Sequence, residues 1–187
     1  MRIIAGEYKG RQLKAPKGDA TRPTADRVRE ALMSALASAR GGFEGAVVLD
    51  AFAGSGALGL EALSRGARYA AFCEKDASAL RTLQGNIDAL GLARERYAAL
   101  RTDILKNPPR LAAAPFDLVF LDPPYGTELL EKALLRIFQF DILTNGGIII
   151  CESGRDKRLP DAKAPYVRKR DYVYGQTKLT VYTKEGD

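Results

Sequence analysis

The sequence predicts an α/β domain built on a doubly wound, mostly parallel sheet of seven strands, closed by a C-terminal antiparallel hairpin and preceded by a small N-terminal β-hairpin. Three observations lead there. Between residues 47 and 151, short apolar runs alternate with stretches of helical periodicity. Each run is apolar on both faces, as strands buried in a parallel sheet are. After the last run come two further strand-like segments turning at Gly175.

The elements follow in order. Ile3-Ile4-Ala5 and Gln12-Leu13, with Gly6, Tyr8 and Gly10 between them, read as a short hairpin carrying Lys9 and Arg11 near its turn. Pro16 to Arg22 is a polar loop. Thr24 is placed as the N-cap, and Asp26 in the first turn, of a helix with the stripe Val28, Ala31, Leu32, Ala35, Leu36 and Ala39, ended by Gly41-Gly42. Val47 to Leu49 is the first parallel strand, followed by a glycine turn and a helix around Leu58 to Leu63. Tyr69 to Cys73 is the second strand. Its helix presents Leu80, Leu83, Ile87 and Leu90, with Gly91 as C-cap. Tyr97 to Leu100 and Phe116 to Leu121 are the third and fourth strands. Thr127 caps a helix carrying Leu130, Leu134, Ile137 and Phe138, and Gly147 to Cys151 is the fifth strand. Tyr166 to Tyr174 and Gln176 to Tyr182 make the terminal hairpin.

At 187 residues the chain has the size of one compact domain. The expected division is 1–22 as a hairpin-and-loop extension and 23–187 as the main domain. No apolar run approaches the roughly 20 residues of a membrane-spanning helix. The first residues lack the apolar core of a signal peptide, so a cytoplasmic location is expected; a monomer is expected as well. Cys73 and Cys151 each sit in an apolar run, which reads as two reduced core thiols and excludes a disulfide framework. The chain has no histidine. Ser-His-Asp and Cys-His nucleophiles and His-ligated zinc are thereby excluded, and no metal is expected.

The net charge of +6 is unevenly placed: residues 1–46 and 154–187 carry +4 each, and 47–153 carry −2. Two basic flanks around a near-neutral centre suit a polyanionic substrate, with Lys9, Arg11, Arg168, Lys169 and Arg170 as candidate phosphate contacts. On charge alone a merely solvated basic surface is an equal reading.

Two motifs carry chemistry. Leu49-Asp50-Ala51-Phe52-Ala53-Gly54-Ser55-Gly56-Ala57-Leu58-Gly59 places G-x-G-x-x-G between a strand and a helix. Gly54 and Gly56 let the backbone turn sharply around Ser55 and approach a ligand, and Gly59 allows close helix–strand packing. Twenty residues beyond Gly54, Glu74 ends the second strand, where a carboxylate can accept two ribose hydroxyls. Asp50 would repel the pyrophosphate of a dinucleotide but attract the ammonium and sulfonium of S-adenosylmethionine (SAM), so electrostatics favour SAM. Taken alone, Asp50 also fits a capped turn. Asp103, after the third strand, can accept an adenine amino group or serve as a loop charge.

The second motif is Asp122-Pro123-Pro124-Tyr125 at the end of the fourth strand. Two prolines fix the backbone and remove two donors, leaving the Asp122 carboxylate and the Pro123 carbonyl as rigid acceptors for an exocyclic NH2. Tyr125 offers an aromatic face to a flipped base.

The order of these motifs resembles that of Rossmann-like class I SAM-dependent amino-methyltransferases. Met1-Arg2-Ile3-Ile4-Ala5-Gly6, Arg22-Pro23-Thr24-x-Asp26-Arg27-Val28-Arg29-Glu30, the loop from Leu49 to Ala62 and Tyr174-Gly175-Gln176-Thr177 resemble, more narrowly, the RsmD-type 16S ribosomal RNA guanine-N2 methyltransferases. The resemblance implies SAM as cofactor and 16S rRNA, in the small ribosomal subunit or an assembly intermediate, as substrate, with guanine 966 as target. It also implies that Arg22, Thr24 and Arg27 help bind the methionine end of SAM; an ordinary helix N-terminus with surface arginines is the equal alternative. An adenine-N6 methyltransferase shares the Asp-Pro-Pro-Tyr turn, and a non-catalytic RNA-binding assembly factor is the reading from another class.

Overall fold

The computed structural model describes residues 1–16, 23–106 and 115–186. Helix α1 (Pro23–Arg40) leads into β1 (Val47–Asp50), α2 (Ala57–Ser64), β2 (Tyr69–Glu74), α3 (Ala77–Leu90), β3 (Tyr97–Arg101), β4 (Phe116–Leu121), α4 (Leu129–Phe140), β5 (Leu143–Gly154), β6 (Tyr166–Tyr174) and β7 (Thr177–Lys184). The seven strands form one sheet in the order β3-β2-β1-β4-β5-β7-β6. β1 to β5 are parallel, while β7 is antiparallel to both β5 and β6. The strand order reverses between β1 and β4, so their carboxyl ends flank the crevice where doubly wound sheets take ligands.

Alternation along the strands divides the core. Val48, Phe72, Leu118, Phe120 and Ile150 pack on one face with Leu32, Leu36, Leu60 and Leu83. Leu49, Val119, Leu121, Ile149 and Cys151 pack on the other with Leu130, Leu134 and Ile137 of α4. Both cysteines are buried and free, and burial pushes the Cys73 thiol up to about 12. No helix among the described residues is long and apolar enough to cross a membrane.

Several elements differ from the sequence expectation. The N-terminal hairpin forms but is short: the antiparallel bridge between Arg2 and Gln12 is flanked by hydrogen bonds from the Ile3 N–H to the Arg11 carbonyl, the Gly10 N–H to the Ile3 carbonyl and the Leu13 N–H to the Met1 carbonyl, while the backbone from Ile4 onward bonds to α2. The Ile4 and Ala5 N–H groups donate to Glu61 at 2.7 and 3.1 Å, and the Glu7 and Tyr8 N–H groups to Ser64. Ile3 and Leu13 thereby enter the main core. Pro23, not a residue after Thr24, opens α1; proline is pre-organised for a first helical turn, and Thr24 falls inside the helix. Thr127 stands two residues before α4, donating to the Pro124 carbonyl and accepting from the Leu129 N–H. β5 runs past Cys151 to Gly154 because β7 pairs with it along that length. Asp76 caps α3 by accepting from Ser78 and Ala79, and Gly91 ends it at φ +68°.

Candidate active site

The carboxyl ends of β1, β2, β4 and β5 open into one cleft of about 740 Å³. That lies within the roughly 300–1,000 Å³ of small-molecule sites. Asp50, Gly54, Ser55, Glu74, Asp103, Asp122, Pro123, Pro124 and Tyr125, all singled out in the sequence, line it.

The glycine loop forms one wall. Gly54 and Gly56 adopt φ of +52° and +82°, where side-chain-bearing residues are strained. A Cβ on Gly56 would lie 2.4 Å from Leu83, whereas one on Gly54 would meet open space, so Gly54 presents bare backbone to the cleft. Gly59 is the close-packing glycine: a Cβ there would lie 2.3 Å from the Phe72 ring on β2.

Two carboxylates hold this wall from beneath. Asp50 is 2% exposed and accepts from the Gly59 N–H at 3.0 Å. Burial pushes its carboxyl up to about 7, against the opposing pull of that N–H, with the nearby Glu74 adding to the rise. Glu74 accepts from the Gly54 N–H at 2.9 Å and the Asp76 N–H at 2.8 Å. It therefore ties the glycine loop to the start of α3, a role the sequence did not suggest. A carboxylate has about four lone-pair sites, so capacity for ribose hydroxyls remains. Asn86, buried on α3, donates to the carbonyls of Ser55 and Lys14. Asp103 accepts from the Leu105 N–H, closing the loop after β3 while still facing the cleft.

The opposite wall belongs to β4 and β5. Pro123 is buried and Pro124 exposed, and the Pro124 carbonyl accepts from Thr127, which locks the turn. Tyr125 is 51% exposed, with its hydroxyl donating to Glu152 at 2.7 Å and lying 3.3 Å from the Thr177 hydroxyl. Burial raises its phenol pKa above the ordinary value, with the Glu152 and Asp122 carboxylates adding to the rise and Thr177 opposing it. Glu152 is likewise raised by burial, partly offset by the Tyr125 hydrogen bond.

Some predicted residues lie elsewhere. Arg22 and the side chain of Thr24 fall outside the described residues. Arg27 is exposed and away from the cleft; two positions on, Arg29 is buried, faces the cleft and donates to the Arg2 carbonyl at 2.6 Å. Helical geometry turns positions i and i+2 to different faces, which accounts for the difference. Lys9 and Arg11 sit toward the C-terminal ends of α2 and α3, the pole opposite the cleft: Gly6, in the same turn, abuts Ser64, and Arg11 donates to the Ala89 carbonyl. Arg168 pairs with Asp171 at 2.7 Å, Lys169 with Glu185 at 2.6 Å, and Arg170 lies over the Tyr172 ring. Glu152, Thr177, Arg29 and Asn86 were not anticipated. Among the described residues, no group of three or more His, Cys, Asp or Glu could hold a metal.

The sequence model of the family described as conserved hypothetical protein 95 matches residues 1–183. The Bacillus subtilis protein YlbH is 37% identical over 189 residues, covering 100% of both chains. Ribosomal RNA small subunit methyltransferase D of Escherichia coli K12 is 36% identical over 187 residues, covering 99% of this chain and 90% of that one. Among solved structures, the Escherichia coli protein yhhF matches with a TM-score of 0.83 at 33% identity, over 100% of this chain and 99% of that one. The Thermus thermophilus 16S rRNA N2 G1207 methyltransferase RsmC, solved with AdoMet and guanosine, matches in fold with a TM-score of 0.70 at 22% identity, over 91% of this chain and 45% of that one.

Proposed function

The chain belongs to the conserved hypothetical protein 95 family, and from that membership and its cleft we propose that it is a SAM-dependent methyltransferase of 16S rRNA in the small ribosomal subunit, acting on the exocyclic N2 amine of a guanine. Guanine 966 is the position the sequence resemblance points to. The fold is that of the Rossmann-like class I methyltransferases. One observation carries the reading: the glycine loop with Glu74 and the Asp122-Pro-Pro-Tyr125 turn face each other across a single cleft. The Escherichia coli relative, named as a small-subunit rRNA methyltransferase, supports the substrate class.

The residues fit SAM. Bare backbone at Gly54, the Glu74 carboxylate and the Asp50 carboxyl beneath them, whose ionised form a cation would favour, suit a ribose and a cationic methionine end. When bound, SAM supplies an activated methyl group on a sulfonium with a neutral thioether as leaving group. The chain's own part is to position the amine. The N2 lone pair of guanine is delocalised into the ring, which makes the amine a poor nucleophile. Acceptance of its two hydrogens by the Asp122 carboxylate and the Pro123 carbonyl would turn that lone pair toward the methyl carbon. The same acceptors would stabilise the positive charge that grows on nitrogen before its proton leaves. Tyr125, half exposed at the rim, offers its ring to the unstacked base.

The direct test incubates purified protein and SAM with small-subunit particles that lack the modification, followed by mass-spectrometric nucleoside analysis. N2-methylguanosine is expected. N6-methyladenosine, or no methylated base at all, would overturn the assignment.

A further inference from the structure

Asp122 explains how an amine is held, but not which base carries it. Adenine N6 and guanine N2 are both exocyclic amines, and the Asp-Pro-Pro-Tyr acceptors can take either. The atoms beside them differ. Guanine places an N1–H donor next to its N2 amine, whereas adenine places a bare N1 acceptor next to N6. A second acceptor adjacent to Asp122 would distinguish them.

Glu152 stands in that place. Leu121 and Cys151 form the last registered pair of β4 and β5, so Asp122, the first residue past the end of β4, and Glu152, the next residue on β5, follow from adjacent positions. Neighbouring strands lie about 4.8 Å apart, a separation that one purine edge spans. Both side chains line the cleft. The Tyr125 hydroxyl is the one donor that Glu152 has among the described residues. Of the carboxylate's roughly four lone-pair sites, most are therefore open to a ligand. No lysine or arginine pairs with it among the described residues, so its charge is not already satisfied by an ion pair. Tyr125 fixes the carboxylate from the side on which the base would stack.

We propose that Glu152 is the specificity residue that selects guanine over adenine, accepting the base N1–H while Asp122 holds the neighbouring amine. The inference rests on the guanine-N2 reading above. Adenine in the same pose would set its N1 lone pair against a carboxylate oxygen, leaving two acceptors face to face in a half-buried site. Sites built to bond a substrate N–H reject analogues lacking it far more strongly than apolar pockets reject a missing methylene.

2-Aminopurine isolates the feature, because it keeps the 2-amino group but carries a bare N1. Small-subunit particles are reconstituted with guanine or 2-aminopurine at the target position, and single-turnover methyl transfer is measured. The wild-type protein should favour guanine by at least about a hundredfold. Glu152→Gln, whose amide can donate to a bare N1, should slow guanine transfer roughly ten- to a hundredfold and bring the two substrates within about tenfold of each other. Its affinity for S-adenosylhomocysteine, measured by calorimetry, should be unchanged, which separates loss of recognition from loss of fold. Wild-type protein that methylates 2-aminopurine as fast as guanine overturns the inference whatever the variant does, as does an unaltered substrate ratio in a Glu152→Gln protein that still binds S-adenosylhomocysteine. In either case guanine-N2 transfer by the wild type stands. If wild type leaves the guanine unmodified, the underlying functional reading fails instead.

Discussion

The two walls of the cleft are built differently. The glycine-loop wall is braced by bonds among its own residues: Asp50 to Gly59, Glu74 to Gly54 and Asp76, Asn86 to Ser55. The Asp-Pro-Pro-Tyr wall is a stiff but exposed turn whose aromatic residue is fixed by side chains far along the chain, Glu152 and Thr177. The first wall is pre-organised to receive a small ligand of fixed shape. The second presents a few acceptors at an open rim, as suits a base delivered by a much larger molecule. If that division is real, substitutions on one wall should leave the other wall's function intact.

The sharpest separation is expected at Asp122. Asp122→Ala should leave SAM affinity unchanged, since the side chain belongs to the base-binding wall, yet lower single-turnover methyl transfer by about 10²–10³, the usual loss for one pre-organised partner of a developing charge. Near-normal transfer would show that the turn does not orient the amine.

Glu74→Ala probes the opposite wall. It removes a ribose acceptor and unties Gly54 from Asp76, so SAM affinity should fall by roughly 1.5–3 kcal/mol, about ten- to a hundredfold. Calorimetry with unchanged affinity would take Glu74 out of the cofactor site. Rescue by Glu74→Gln would be incomplete, because the amide nitrogen cannot accept from a backbone N–H.

These two outcomes also bear on what the sequence disclosed. The glycine-loop wall is local: Gly54, Gly56, Gly59 and Glu74 lie within about one βαβ unit, and spacing alone locates them. The other wall draws on residues 27 and 52 positions away from Tyr125, for which no spacing rule exists. Glu152 was still within reach of sequence reasoning. Asp50, Glu74, Asp122 and Glu152 each directly follow an apolar run in the sequence, a shared placement that marks the fourth as it marks the first three. The shortness of the N-terminal hairpin and the position of Arg27 have a different reason. Glu61 and Ser64 on α2 capture the backbone from Ile4 to Tyr8, which ends the hairpin pairing after Ile3, and the phase of α1 turns Arg29 rather than Arg27 inward.

A third, smaller effect should appear with pH. Burial raises Asp50 to about 7, so in the free protein its carboxyl is neutral below that pH. A cationic ligand favours the ionised form, and binding then expels a proton. SAM affinity should therefore weaken as pH falls, by up to about tenfold between pH 7 and 6, and Asp50→Asn should flatten the profile. Stability of the unliganded protein runs the other way. The folded state keeps a proton that the unfolded chain releases near the ordinary aspartate pKa of about 3.9, so stability falls as pH rises from about 4 to about 7. Thermal melts of wild type and Asp50→Asn across that window check the sign.

The smallest effects belong to the basic flanks, which ask how far the open wall extends beyond the cleft. Arg168 and Lys169 already have carboxylate partners and Arg11 a backbone one, so each has less to gain from a phosphate than an unpaired cation would. Arg170, stacked on Tyr172 toward the end of β6 that approaches Thr177, is better placed than Lys9 at the far pole. Each true phosphate contact removed should reduce the slope of log affinity against log salt by roughly 0.7–0.9. Arg170→Gln is expected to show that change in binding to small-subunit particles, and Lys9→Gln a smaller one. Equal changes for both would mean that the RNA wraps from the cleft around to the opposite pole. An unaltered slope in the double variant would confine substrate recognition to the cleft and its rim.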